Sequence, residues 1–433
     1  MERAMKQSVS TRYLVLLTGL LMLVAIVNVA DKELLAPVAD AVKANLGMND
    51  TQLGMVRSSV FLAALLGQLF WGPLSDRWVR KNIIVIGAVI WSAITWMTAF
   101  VGSFPQLLMA RAGMSFAEGC FNPSAYALLT DTAPKRNQGM VLGLMSLTYP
   151  VGTAAALIVA SAIGTEHWRQ PFIIYGIIGI GLGALVLFIV REPARGANEE
   201  AVEQAHAAYS GKFSFAEFRK LLAVPSLLLA FGLDTCQASV NWSLAFWAPT
   251  YLTRYHIAPD AESASLALLP AIIGFVVGAL LGGWLNDRLR KGSPLAPVWI
   301  SLAAMAGGLL IALILFNIFV LVPVMAVAFI LGTVTYLVLP SVTLIQFSVV
   351  PPEMKASTIS ASNVVLNLVI AVLTFFIGVI SDAYGLRLAF GGSIILMYAL
   401  GIIVGLALLR TYQQDVSRRN ALVAEQVLAT SQP

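Results

Sequence analysis

The chain has 433 residues, of which 58% are apolar and only 11% charged, with a mean hydropathy of +0.83. Soluble domains run at about 45–50% apolar and about 25% charged, so a water-soluble globular fold is excluded. The net charge of +5 comes from basic residues in short loops between apolar runs; no basic stripe for nucleic acid results.

The expected architecture is an all-α integral membrane protein with twelve spans. A basic tail, 1–13, holds Arg3, Lys6 and Arg12. The first span covers about 14–38, and Asp31, Lys32 and Glu33 interrupt its far half, with Glu33 expected near the outer surface. This apolar run is too long for a signal-peptide core and is expected to stay as a span. The second span, about 52–71, carries Arg57. Spans three to six fall near 83–101, 105–131, 139–163 and 171–190, completing a bundle over 14–190. Residues 191–223 are the longest polar segment and read as a linker. Ser214 and Glu217 there have capping-box spacing, which predicts a short interfacial helix. A second bundle, 224–410, has spans near 224–253, 264–285, 295–316, 320–347, 357–381 and 388–410. The apolar stretch from 298 to 345 is too long for one crossing of a ~30 Å core and is broken near Asn317. Residues 411–433 form a polar tail.

Basic residues orient the chain. With both termini cytoplasmic, 20 of the 27 Lys and Arg fall in cytoplasmic segments, 4 (Lys43, Arg169, Arg254, Arg387) in external loops and 3 (Lys32, Arg57, Arg111) inside spans. That split follows the positive-inside rule and supports the span count and the orientation; the expected location is the cell (inner) membrane. A repeat is also visible. Gly72-x-x-x-Asp76-Arg77 after the second span matches Gly283-x-x-x-Asp287-Arg288 after the eighth, an offset of 211 residues. Two parallel six-span repeats follow, an arrangement found in secondary transporters.

The fourth span is the most informative stretch. Arg111 and Glu118 lie seven residues apart in it, close to two helical turns, so they share a face. A charge at bilayer depth costs roughly 2.5–3.5 kcal/mol on insertion scales, so this face is expected to line a transport path. At ~1.5 Å per residue, Asp31, Arg57 and Glu118 stand ~20–25 Å from the inner ends of their helices and Arg111 ~30 Å. Asp31 and Glu118 are the candidate proton sites. Arg111, Arg57 and Lys32 are candidate anion ligands, with Asn122 beside them. In the second half, Asp234, Gln237 and Asn241 form one polar stripe on the seventh span. Tyr336 and Gln346 lie on the tenth, and Asn363 and Asn367 share a face of the eleventh. These are candidate substrate contacts, or polar glue between helices. Cys120 and Cys236 fall within spans, and His167, His206 and His256 in loops. No disulfide framework, metal-ligand spacing or nucleophile motif is present, so neither a cofactor nor an enzyme is expected.

These motifs resemble the major facilitator superfamily over about residues 12–410. The family's loop pattern G-x-x-x-D-[RK]-x-G-[RK]-[RK] is met by Gly72, Asp76, Arg77, Arg80 and Lys81, with Val79 in place of the second glycine. The second copy keeps Gly283, Asp287, Arg288, Arg290 and Lys291. The resemblance implies that Asp76 meets the start of the eleventh span, at Ser357–Thr358, when the cytoplasmic side is closed. A carboxylate there is favoured by the helix dipole. Arg80 and Asp131 extend this gate. Asp31-Lys32 in the first span, with Arg111, Glu118, Gly119, Asn122 and Pro123 in the fourth, look like the anion:cation symporters. Lys32 stands where that pattern has arginine. Spinster-type lipid transporters carry a similar pattern, and Arg191-Glu192-Pro193 and Pro352-Glu353-Met354-Lys355 fit their bacterial relatives. The resemblance implies a monomeric, proton-coupled symporter of a small organic anion, a carboxylate or sugar acid, working by alternating access. The alternative it leaves open is a transporter of lysolipids or other amphiphiles, or a drug exporter. The partners are then substrate, protons and the bilayer.

Overall fold

In the computed structural model, residues 10–164, 167–192, 224–350 and 355–430 are described. All regular structure among them is helical. Among the described residues, ten helices are long and apolar enough to cross a membrane. The remaining two of the twelve crossings are the fourth and the seventh. The seventh, Pro225–Arg254, spans 30 residues, and its polar stripe lowers its hydropathy. Five of the crossings begin with proline in the first turn, at Pro105, Pro171, Pro225, Pro270 and Pro297. The missing N–H costs nothing there, because first-turn donors have no partner within the helix. At the short helix Ala261–Leu266, Asp260 accepts the Ser263 N–H at 2.7 Å. This bond holds its carboxyl below the usual carboxylate range.

The helices separate into two compact units, Met1–Val42 with Ser59–Ser210, and Lys43–Ser58 with Gly211–Pro433. In the first unit, span one (Thr11–Glu33) packs on span five (Thr148–Gly164), and span three (Arg80–Thr98) on span six (Gln170–Ile189). In the second, span seven packs on span eleven (Lys355–Tyr384), and span nine (Ala296–Leu315) on the last helix. The same pairing recurs six spans later. Two against four and eight against ten complete the pattern, and both contacts are made through glycine. The Cβ of a residue replacing Gly119 would sit 2.7 Å from the backbone of Gly67. On the eighth span (Leu269–Leu289), Gly274, Gly278 and Gly282 face Phe329, Thr333 and Leu337 of the tenth (Leu321–Ser348), four residues apart on each side. Lipid offers no hydrophobic drive for helix pairing, so close backbone approach through small residues supplies the dispersion contact.

Three expectations are corrected. The fourth span is two helices, Phe104–Glu118 and Phe121–Thr132, broken at Gly119–Cys120. Pro123 lacks the N–H that the Gly119 carbonyl would take four residues on, and the turn before it tightens, with the Gly119 and Cys120 N–H groups donating to the carbonyls of Phe116 and Ala117, each at 3.3 Å. Glu33 is buried, at 1% exposure. The first helix ends there, and the following turn buries Leu34, Leu35, Ala36 and Val38 around it. The last helix does not stop near 410. After a π-helical turn at Arg387–Gly391 it runs from Gly392 to Thr430. Residues 411–430 contain neither glycine nor proline. Asp415 accepts the Ser226 N–H at 2.9 Å, and Arg419 donates to the Val350 carbonyl at 3.3 Å. The expected linker helix at 214–217 lies outside the described residues. Both cysteines are buried, Cys120 at the helix break with its Sγ against Gly87.

Gly278→Val is expected to destabilise the protein by at least ~1–3 kcal/mol, the cost of overpacking a tight contact. Thermal unfolding in detergent checks it, with Gly181→Ala, a site with open space around it, expected to leave the midpoint nearly unchanged.

Candidate functional site

The first unit assembles its charges from neighbouring residues on span one and residues two turns apart on the first half of span four. The Arg111 Nη1 lies 3.4 Å from Asp31 Oδ1, and the two side chains are 1% and 2% exposed. Arg111 Nη2 donates to the carbonyls of Asp31 at 2.7 Å and Lys32 at 3.2 Å. Those carbonyls belong to the last turn of helix one, where no helical N–H follows to take them. Arg111 therefore compensates a buried carboxylate and caps a helix C-terminus with one cation, the sign its dipole favours. Thr95 Oγ1 adds a hydrogen bond to Asp31 Oδ2.

The neighbouring pair is looser. Lys32 Nζ lies 3.4 Å from Glu118 Oε2 and 3.3 Å from Asn28 Oδ1. The Lys32 side chain keeps 22% exposure, whereas that of Glu118 keeps 1%. Neither Glu118 oxygen has a partner at hydrogen-bonding geometry among the described residues. Two acids and two bases thus neutralise one another, but with unequal firmness. One pair is sealed, and the other has a base still open to its surroundings.

The loop after span two gives a second cluster in this unit. Arg80 pairs with Asp131 at the end of span four. The Glu192 carboxylate accepts the backbone N–H groups of Arg80 at 3.1 Å and Lys81 at 2.9 Å, capping the start of span three. The side chains of Asp76 and Arg77, and of Ser357, lie outside the described residues, and Gly72 has open space around it. Asn122 is exposed.

In the second unit, the Arg57 guanidinium lies over the rings of Phe246 and Trp242, 4.8 and 5.4 Å from their centroids. Asp234 accepts hydrogen bonds from Ser362 at 2.7 Å and Gln346 at 3.3 Å. Gln237 and Asn241 are buried beside it along the seventh span. Tyr336 stacks on Phe275 with ring centroids 4.4 Å apart. Asn367 is turned back onto the Asn363 carbonyl at 2.7 Å, and Asn363 itself is exposed. In the second loop motif, Asp287 and Arg288 are exposed, Arg288 over Trp284, and Gly283 has open space around it.

A cluster that the sequence did not suggest lies at the start of span two. Asp50, 3% exposed, receives both Arg254 nitrogens at 2.5 and 2.8 Å, Ser381 at 2.6 Å, and Lys43. Asp382, at the end of span eleven, accepts the N–H groups of Asp50 at 2.9 Å and Thr51 at 2.7 Å. It caps that helix as an anion against the positive dipole end. Its sequence signal is faint: an isolated acid four residues before Leu386, where the span is already ending.

The profile of the Major Facilitator Superfamily matches residues 21–374. The chain belongs to that superfamily. Its relatives include a probable L-galactonate transporter, a probable sulfoacetate transporter, spinster proteins and an MFS-type efflux pump. It is 30% identical to a probable L-galactonate transporter of Escherichia coli over 64% of this chain and 62% of that one. It is 26% identical to the probable sulfoacetate transporter SauU of Cupriavidus necator, over 66% and 67%. Spinster homolog 1 of Xenopus tropicalis is 28% identical over 68% and 58%. The chain thus spans about 60% of the length of the first and third of these. Among solved structures, a bacterial homologue of the human lysosomal transporter Spinster, inward-facing and unoccupied, superposes with a TM-score of 0.84 at 20% identity, over 94% of this chain and 99% of that one. That superfamily is one of multi-pass membrane transporters.

For this major facilitator protein, Arg111→Ala is expected to cost ~3–5 kcal/mol, because it strands a buried carboxylate and uncaps helix one. Thermal unfolding of Arg111→Ala against the double variant Asp31→Asn/Arg111→Ala checks it: the double variant should recover part of the loss. Asp382→Ala should cost ~0.5–2 kcal/mol, the range for a helix N-terminal cap, in the same measurement.

Proposed function

We propose that this transporter moves a small organic anion together with protons, by alternating access. The observation that carries the reading is the unequal firmness of the two acid–base pairs. Lys32 keeps exposure while its partner Glu118 does not. An incoming carboxylate or sulfonate competes for Lys32. Glu118 is then left without its cation, and a buried carboxylate in that condition is neutralised by a proton. Anion binding and protonation become one event, which is the requirement for symport. Asp31 is the second acid of the set, and its proton exchange requires Arg111 to leave it. Arg111 contributes positive potential to the site while it holds helix one. Galactonate and sulfoacetate, in the names of the two bacterial relatives, are compact acids of the kind a single ammonium group recognises.

The remaining expected residues complete the proposal. Arg57 with Asn122, and Gln237, Asn241, Tyr336, Asn363 and Asn367, contact the substrate's hydroxyls and acid group. Gly72, Asp76, Arg77, Arg80 and Asp131, with Gly283, Asp287 and Arg288, form the cytoplasmic gate, and Glu192 fixes the helix on which Arg80 sits. The protein acts as a monomer in the inner membrane with both termini in the cytoplasm; the distribution of Lys and Arg supports the orientation. A second reading, transport of lysolipids or related amphiphiles, is supported by the 28% identity to spinster homolog 1.

The test uses proteoliposomes with an inward proton gradient. L-galactonate or sulfoacetate should accumulate in the wild type and collapse to equilibrium when a protonophore is added. Glu118→Gln should abolish gradient-driven accumulation by at least tenfold yet keep exchange of labelled for unlabelled substrate, since exchange needs no net proton movement. Uptake of lysophosphatidylcholine without uptake of either acid would sink the anion reading in favour of the second.

A further inference from the structure

Asp234 differs from the other acids of the spans. It lies nine residues past Pro225, ~13 Å along the seventh helix and so well inside a ~30 Å core. Its Oδ2 accepts from Ser362 Oγ at 2.7 Å and from Gln346 Nε2 at 3.3 Å. The two donors also lie 3.3 Å from each other, closing a small network across spans seven, ten and eleven. Ser362 and Gln346 are 3% and 4% exposed.

Nothing charged faces this network among the described residues. Span ten, Leu321–Ser348, contains no ionisable group except Tyr336, which stacks on Phe275. On span eleven, Lys355 lies seven residues before Ser362, with its side chain outside the described residues, and Asp382 lies twenty after it on the backbone of Asp50 and Thr51. On the last helix, Tyr398 bonds Thr335 and Tyr412 bonds Ser348. Asp415 there is bound to Ser226, Arg419 reaches the Val350 carbonyl, and Arg410 and Arg418 lie on the same extension. Arg387 donates to the Phe316 carbonyl. On the seventh helix itself, Cys236 is a buried thiol, and Arg254 is joined to Asp50. Arg57 lies over Trp242 and Phe246, eight and twelve residues beyond Asp234. Asp234 is itself part-buried, resting on two buried donors. The fully buried acids with a partner described above each have a base: Asp31 has Arg111, Glu118 has Lys32, and Asp50 has Arg254 and Lys43. Among the described residues, Asp234 has two neutral donors and no base.

Two neutral hydrogen bonds do not offset the loss of most of an ionised carboxylate's water, and such a group takes a proton when no counter-ion is at hand. We propose that Asp234 is a proton-binding site of the second unit, neutral in this state, with Oδ2 as the acceptor and the proton on Oδ1. Sodium is disfavoured. A hard cation wants about six oxygens, and Asp234, Ser362 and the Gln346 amide provide too few. The role of this proton in coupling rests on the symport reading, but the protonation itself does not.

Infrared difference spectroscopy of the full chain in lipid nanodiscs, between acidic and alkaline buffer, tests it. A carboxylic C=O band present at neutral pH should vanish in Asp234→Asn and persist in Glu118→Gln. Ser362→Ala, which removes one bond to the carbonyl oxygen, should move the band to higher frequency. That variant keeps the test open if Asp234→Asn does not fold. A neutral-pH spectrum unchanged by both substitutions overturns the proposal. So does a band that responds to sodium chloride in place of choline chloride at fixed pH. In proteoliposomes given L-galactonate, Asp234→Asn should take up one proton fewer per substrate than wild type. Absence of L-galactonate uptake by the wild type would count against the anion reading and leave the infrared result standing.

Discussion

Hydrocarbon does not solvate charge, and the arrangement of the first unit follows from that constraint. Asp31 and Lys32 on span one are placed opposite their complements on span four, Arg111 and Glu118. Adjacency on helix one, Asp31 next to Lys32, is answered by a two-turn separation on span four, Arg111 and Glu118. Neighbours on one helix differ by about 100° in direction, so the two pairs occupy different sides of helix one. The pairs still form one charged cluster, because Asp31 and Lys32 are chain neighbours and Arg111 also holds the Lys32 carbonyl.

The two six-span repeats share a packing scheme but not a chemistry. Glycine contacts join spans two and four, and again eight and ten. The buried polar groups differ. The first unit buries compensated ions, with a helix end and a threonine as additional partners. The second buries amides and hydroxyls and holds Asp234, part-buried, on two neutral donors, and among the described residues its ion pairs are gathered at Asp50. Duplication preserved what the bilayer demands of every span and left the side chains facing the interior free to diverge.

Much of this was legible in the sequence, for physical reasons. Hydropathy and the paired Gly-x-x-x-Asp-Arg loops are local signals, and they placed the spans and the repeat. The depth arithmetic brought Asp31 and Glu118 to one layer, because rise per residue is nearly constant in a helix. What distance arithmetic does not give is pairing. Arg111 was read as a substrate ligand, and its partners turned out to include the carbonyls at the end of helix one, a feature with no side-chain signature. The break at Gly119–Cys120 was written in Pro123, four residues after the carbonyl it leaves unanswered. The Asp50 cluster draws on residues 43, 254, 381 and 382, separated by hundreds of positions, and no local pattern announces it. Glu192 was noted only for its likeness to relatives, though it caps span three.

The burial of both cysteines has a practical consequence. Thiolate, not thiol, is the nucleophile, and thiols enclosed in apolar surroundings react slowly. The native chain is therefore already close to a silent background for sulfhydryl reagents. A single cysteine placed on an exposed loop, for example at His256, becomes the fast-reacting position without removal of Cys120 or Cys236. Removal of Cys120 carries its own hazard, since its sulfur fills the space beside Gly87 that a larger replacement would contest. Maleimide or spin-label kinetics at such introduced positions then report accessibility changes through a transport cycle in an otherwise unaltered protein.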